Sequence, residues 1–440
     1  MVNYMEFIDR EKELKILERE WKRKPSFVVL YGRRRVGKTR LIREFSKEKK
    51  VFFFTFPEAI KEAQMREFKK ELSRFFDDEL ILKVETDNWY DLFRYLASKV
   101  EAETLIVFDE FTYAIKSDRK ILSDLQRVWD HELSRKSVML ILSGSLLGMM
   151  WDDILSYASP LYGRRTRSMH LKPMDYLSSL RFFGDPEYGI QAYMLVGGIP
   201  HYLKIAREYS SAEKFLYDEF LNDYGFFYDE PYVILGEELR ELRTYFSILR
   251  AIAEGNTRLE EIANFLGLPA RSAYPYLENL LRLGLVKREK PLFGDRKVSL
   301  YRISDPMLLT WFTLVYPQMD RISLGTATLE NAYKVFSVRF EELAREFLIL
   351  KKPFEFSQIG RWWWRGEEID IIAVNEDTAY LIEVKWKDLS EKDARRILSL
   401  LKEKAKNVRF NGEFRYGVIA RSIEGKEKFD LAFDLGDIMN

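Results

Sequence analysis

Apolar residues recur along the chain with two periods, and the alternation between them sets out its elements. Residues 11–22 put Leu14, Leu17 and Trp21 on one helical face, and Lys24-Pro25 stops that helix. Residues 27–31 form a continuous apolar run of β-formers ending at Gly32, and from Lys38 onward Leu41, Ile42 and Phe45 share a helical face. Further apolar runs lie at 51–56, at 105–108 before Asp109-Glu110, and at 138–142 before Ser143-Gly144-Ser145, with helical patterns between them. Continuous apolar strands separated by helices predict a parallel sheet covered on both faces.

After Pro173 the strand pattern stops. Residues 176–235 read as short helices broken by Gly197-Gly198 and Pro200. Helical patterns at 239–253, 259–265 and 271–283, with Gly267-Leu268-Pro269 as a turn, precede short strands at 285–286 and 298–303, the order of a winged helix-turn-helix. A helical connector follows, then a long helix at 334–350, strands at 368–374 and 380–386, a helix at 390–405 and a strand at 416–420. The expected architecture is therefore multidomain α/β. It comprises a parallel-sheet core at 1–175, a helical lid at 176–238, a winged helix at 239–304, a connector at 305–333 and an α/β domain at 334–440.

Composition narrows the chemistry. The 440 residues are 47% hydrophobic, enough for several cores, and the net charge of +1 means that any basic surface must be local. Cysteine is absent and histidine occurs three times, which excludes disulfides, thiolate zinc sites and cysteine nucleophiles. No signal-peptide pattern opens the chain, and the uncharged run at 137–151 falls short of the roughly 20 residues of a membrane span, so a cytoplasmic protein without membrane contact is expected. Abundant charge without cysteine resembles a thermophile's composition.

Gly32-Arg33-Arg34-Arg35-Val36-Gly37-Lys38-Thr39 matches the phosphate-binding loop in full, after an apolar strand and at a helix start. Glycines let successive N–H groups turn toward phosphate, and the helix N-terminus, running on through Arg40, adds its dipole. Lys38 would reach the β and γ phosphates of ATP and Thr39 would supply a hydroxyl to Mg2+. Asp109 at a strand end would hold Mg2+ through water, and Glu110 would polarise the attacking water. Ser143 or Ser145 would sense the γ-phosphate, or merely form a turn.

These motifs, with Phe7-Ile8-Asp9-Arg10-Glu11, Ser159-Pro160-Leu161-Tyr162-Gly163-Arg164-Arg165 and Gly197-Gly198-Ile199-Pro200, resemble the archaeal P-loop ATPases related to the STAND and AAA+ classes, whose core has a RecA/AAA+-like fold. The resemblance implies that Pro200 packs near the adenine and that Arg164 or Arg165 contacts phosphates, within the chain or from a neighbouring copy in a homo-oligomer. The three consecutive arginines of the loop depart from the usual pattern and face either solvent or an anion beyond the nucleotide.

Residues 240–303 carry twelve Lys and Arg against seven Asp and Glu, an excess of five. Arg271, Ser272, Asn279 and Arg282 form a polar helix face suited to a DNA major groove, with Lys287, Arg288, Lys290, Arg296 or Lys297 reaching phosphates; a joint between protein domains is the competing reading. In the last domain, Asp370 followed by Glu383-Val384-Lys385 resembles the PD-(D/E)XK nuclease core, a restriction-endonuclease-like fold. Strand alternation puts Glu383 and Lys385 on one face. Asp370 and Glu383 would meet at one Mg2+ with Lys385 beside it, and the resemblance implies a helical acid, Glu341 or Glu342, as a further ligand. The two functions that follow are an ATPase acting on nucleic acid, with a Mg2+-dependent nuclease domain, and a STAND-type signalling or scaffold ATPase with protein partners, whose last domain is inert.

Overall fold

The computed structural model describes residues 8–101, 103–294 and 299–440, in two compact units, one of 1–173 with 199–201 and the other of 174–198 with 202–440. The lid apart from 199–201, the winged helix, the connector and the last domain thus fall in the second unit. Phe7 of the N-terminal motif and Arg296 and Lys297 of the wing lie outside the described residues.

In the first unit β1 (Ser26–Tyr31), β2 (Lys50–Thr55), β3 (Thr104–Asp109), β4 (Val138–Gly144) and β5 (Arg167–His170) form a parallel sheet in the order β2-β3-β4-β1-β5. β1, β3 and β4 are buried along their whole length, as their continuous apolar runs require. One face packs Leu17, Leu41, Ile42 and Phe45 against Val28, Leu30 and Ile141. The other side holds an aromatic core of Phe52, Phe56, Phe68, Trp89, Phe93, Phe108 and Phe111, joined by edge-on and stacked contacts. β5 escapes the apolar pattern because it is a four-residue edge strand of Arg, Ser, Met and His. The ends of β1, β3 and β4 nearest their C-termini carry the phosphate loop, Asp109 and Ser143, so parallel pairing alone gathers the candidate site.

In the second unit, the helices Leu242–Glu254, Leu259–Leu266 and Ala270–Arg282 lead to the hairpin β6 (Val286–Glu289) and β7 (Leu300–Ile303), which is the expected winged helix. The Ala332–Lys351 helix precedes a sheet ordered β12-β11-β10-β9-β8, with β8 Gln358–Trp364, β9 Glu367–Val374, β10 Thr378–Leu389, β11 Glu413–Ile423 and β12 Ala432–Phe433. β8, β9 and β10 are antiparallel neighbours, while β10 and β11 are parallel and joined through the Glu391–Ala405 helix, which Ser390 caps. Phe340, Leu343 and Phe347 of the long helix pack on Ile371, Ile382 and Val384, together with Tyr176, Ile190 and Met194 of the lid.

Candidate functional site

The phosphate loop leaves β1 at Tyr31 and enters the Lys38–Phe45 helix. Gly32 admits no side chain, because a Cβ there would stand 2.4 Å from the Leu171 carbonyl oxygen, and Gly37 caps the helix at φ +100°. Val36 is fully buried among Leu30 and Leu41, so only its backbone faces the loop interior, whereas Arg34 and Arg40 are exposed and Arg33 and Arg35 half-buried. The Lys38 Nζ donates to the carbonyl oxygens of Gly32 at 2.9 Å and Arg33 at 3.1 Å. Burial pulls the Lys38 ammonium down, opposed by Glu110 and Asp109. Pro200 lies over the loop, 4.0 Å from where a Gly37 Cβ would be.

The Thr39 hydroxyl donates to Asp109 Oδ2 at 2.7 Å. Asp109 is 1% exposed and its Oδ1 has no protein hydrogen-bond partner. A hydroxyl and a buried carboxylate side by side are hard oxygen donors, and the set fits Mg2+. Glu110 sits in the left-handed region at φ 50°, a conformation that favours glycine, and its Oε2 accepts the Ser145 hydroxyl at 2.6 Å. Ser143, fully buried, and Thr112 beside Gly144 each keep a buried hydroxyl with no protein partner. Thr112 was not among the expected residues. Its signal is position alone, two residues beyond the strand-end acids.

Arg164 requires a correction in one of its two expected placements, that within its own chain. It is held by Asp130, Nε at 3.2 Å and Nη2 at 3.0 Å, two residues before Thr166 meets Phe27 at the start of β1. That is the opposite end of the sheet from the phosphate loop, about 13 Å away at 3.3 Å per strand residue, so Arg164 is not on the phosphates of its own chain. Arg165 bonds weakly to the Ile154 carbonyl oxygen at 3.4 Å.

In the second unit Asp370, Glu383 and Lys385 do converge. Asp370 Oδ2 accepts the Val384 N–H at 2.9 Å and lies 3.4 Å from Lys385 Nζ, which also donates to Glu383 Oε1 at 2.8 Å. Burial would lower the Lys385 ammonium, but Asp370 and Glu383 outweigh it and raise it. Glu383 Oε2 is taken by Lys404 at 3.2 Å, a residue the sequence reading did not single out. Glu341, expected as a metal ligand, is instead paired with the buried Arg361, and Glu342 with Lys287 of the wing. Among the described residues no group of three or more His, Cys, Asp or Glu is gathered to hold a metal. This donor set does not fit Mg2+.

Lys287 is also corrected as a phosphate contact, since it is turned inward to Glu289 at 3.2 Å and to Glu342. Glu289 gathers Arg345 at 3.0 Å, Arg302 at 3.1 Å and Arg361 at 3.8 Å as well. Burial would raise its carboxyl, yet the surrounding cations hold it down at about 2. The Leu292 N–H donates to the Arg361 carbonyl oxygen at 2.8 Å, and Leu292 and Phe293 pack around Trp362. This stretch of the wing is thus committed to protein. On the Ala270–Arg282 helix, Ala273, Leu277 and Leu280 are buried while Arg271, Ser272, Asn279 and Arg282 are exposed, the Asn279 amide donating to the Tyr245 hydroxyl at 2.8 Å. Among the described residues no helix is long and apolar enough to cross a membrane.

Comparison with known proteins finds three matching domain families. Residues 7–205 match an ATPase domain predominantly from Archaea, 245–290 an IclR helix-turn-helix domain, and 311–397 a domain of archaeal and bacterial proteins of unknown function. An uncharacterised protein of Methanocaldococcus jannaschii is 35% identical over 98% of this chain and 99% of its own length. The Walker-type ATPase of Pyrococcus abyssi shares 26% identity over 69% of this chain and 95% of its own, with a TM-score of 0.52. With an end-to-end relative of this identity and the archaeal ATPase domain matched across the phosphate loop, the chain belongs to the archaeal P-loop ATPases.

Proposed function

We propose that this protein is an ATP-hydrolysing switch that acts on DNA through the Ala270–Arg282 helix. The observation that carries the DNA part is the division of that helix into an apolar face buried in the winged helix and an exposed face bearing Arg271, Ser272, Asn279 and Arg282. Exposed Arg288 and Lys290 on the hairpin side supply further cations. At the nucleotide site, Lys38 would exchange the Gly32 and Arg33 carbonyl oxygens for phosphate oxygens, and Thr39 and Asp109 would hold Mg2+. When bound, Mg2+ neutralises charge on the β and γ phosphates. Glu110, oriented by Ser145, polarises a water for attack, and the unpartnered hydroxyls of Ser143 and Thr112 give the γ-phosphate side further donors.

DNA-binding titrations over a salt series test this reading. Replacing both Arg271 and Arg282 with Ala should weaken binding and reduce the slope of log K against log salt by about 2, roughly 0.9 per lost phosphate contact. An unchanged slope would make the winged helix a protein joint and favour the signalling reading, in which the expected homo-oligomer is the acting form. The Mg2+-dependent nuclease expected from the resemblance draws support from the convergence of Asp370, Glu383 and Lys385, and is opposed by the commitments of Glu341 and Glu383. Incubation with plasmid and Mg2+, with and without ATP, separates them. Cleavage lost in Asp370→Asn would establish the nuclease.

A further inference from the structure

Lys404 stands in the last turn of the Glu391–Ala405 helix, where a lysine ordinarily does no more than complement the helix dipole from the surface. Here it reaches across to the sheet. Its Nζ donates to the Glu368 carbonyl oxygen of β9 at 2.7 Å and to Glu383 Oε2 of β10 at 3.2 Å. A carboxylate oxygen and a main-chain carbonyl oxygen on adjacent strands are the hard donors that would suit a divalent cation. The ammonium occupies the point where they meet.

We propose that Lys404 is the resident cation of the C-terminal site, taking the position of a divalent metal, so that this domain engages its partners without metal chemistry. The charges support it. Asp370 and Glu383 are balanced by Lys385 and Lys404, all within the hydrogen-bonded set. A divalent ion entering this cluster would add two positive charges beside two ammonium groups, around an Asp370 that is 3% exposed and poorly screened. The remaining acid cannot compensate. Glu341 is bound by Arg361, which is 4% exposed and is fixed from the wing by the Leu292 N–H and by Glu289. Metal affinity is therefore withheld at two places, by an ammonium in the cation position and by an arginine on the third carboxylate.

Titration of the nucleotide-free full chain with Mn2+, read by the electron paramagnetic resonance of the free ion, tests the proposal. Wild type should show no binding that Asp370→Asn removes. Lys404→Ala should gain one Mn2+ with at least tenfold higher affinity, and the double variant Lys404→Ala with Asp370→Asn should lose it again. Lys404→Gln, which keeps length and hydrogen bonding but not charge, should gain part of the effect and guards against misfolding of the alanine variant; a melting curve reports on both. Wild type binding Mn2+ in an Asp370-dependent way, as tightly as Lys404→Ala does, would overturn the proposal and return the domain to the metal-dependent nuclease reading. Failure of both Lys404 variants, folded, to gain Asp370-dependent binding would also overturn it. Neither result bears on ATP or on the Ala270–Arg282 helix.

Discussion

The phosphate loop and the C-terminal site both set acids beside lysine, the first at the ends of parallel strands and the second within β9 and β10, and they treat their polar atoms in opposite ways. At the first, Asp109 Oδ1 and the Ser143 and Thr112 hydroxyls are buried with no protein partner, and Lys38 rests on carbonyl oxygens it can exchange. At the second, Asp370 and both oxygens of Glu383 are satisfied by Val384, Lys385 and Lys404. Buried polar groups in proteins are almost always paired. Orphans on the central residues mark a site organised around a ligand, whereas the Asp370, Glu383 and Lys385 trio has none, and the orphaned Glu341 Oε2 nearby lies in an ion pair with Arg361. The same residue types therefore promise different things: charge removal should cost affinity at the first site and stability at the second.

The sharpest way to break this contrast is Lys38→Ala. Removing the buried ammonium proposed to meet the phosphates should lower ATP affinity by two orders of magnitude or more, about 3 kcal/mol for a charge-assisted contact, in isothermal titration, with the melting temperature nearly unchanged. An equal loss of stability would mean that the loop too is organised around itself. Next, Glu110→Gln should leave ATP binding intact and slow turnover by about 10² to 10⁴, the usual worth of a positioned general base, in a phosphate-release assay.

At the other site, Asp370→Asn should lower the unfolding free energy by about 1–3 kcal/mol, because the buried Val384 N–H loses a charged acceptor, while ATP affinity stays put; denaturant melts decide. The smallest effect expected concerns pH. Glu289 has a carboxyl held at about 2, below the ordinary 4.5, so its contribution is fully present above the unfolded value and is lost as pH falls through the folded one. Acid melts between pH 4.5 and 2 should therefore be less steep for Glu289→Gln than for wild type, with both curves parallel above pH 5.

The nucleotide site was legible in the sequence because its information is local: the phosphate loop, the strand before it and the strand-end acids are each contiguous. Parallel pairing then brings 32–39, 109–110 and 143–145 together without further instruction. The C-terminal trio was legible for a related reason, since alternation on one strand fixes Glu383 and Lys385. What escaped was carried by long side chains acting across elements. Lys404 lies 21 residues from Glu383, and Lys287 lies 55 residues from Glu342. Charged residues on a helix surface look alike whether they face water or a neighbouring strand. The partner of Arg164 escaped for a similar reason, as Asp130 lies 34 residues away on the Ile121–His131 helix. β8 was missed because its three consecutive tryptophans show no alternation; Trp362 is buried while Trp364 is partly exposed.

β8 is an outer strand of its sheet, and an open strand edge is a template on which a second chain can add. The wing segment at Pro291 and Leu292 runs alongside it, bridging to Arg361 in parallel and using its carbonyl oxygen. The wing thus covers part of an edge that would otherwise be open to self-association. Any motion that lifted the wing would bare that edge, which ties the freedom of the winged helix to the protein's resistance to self-association.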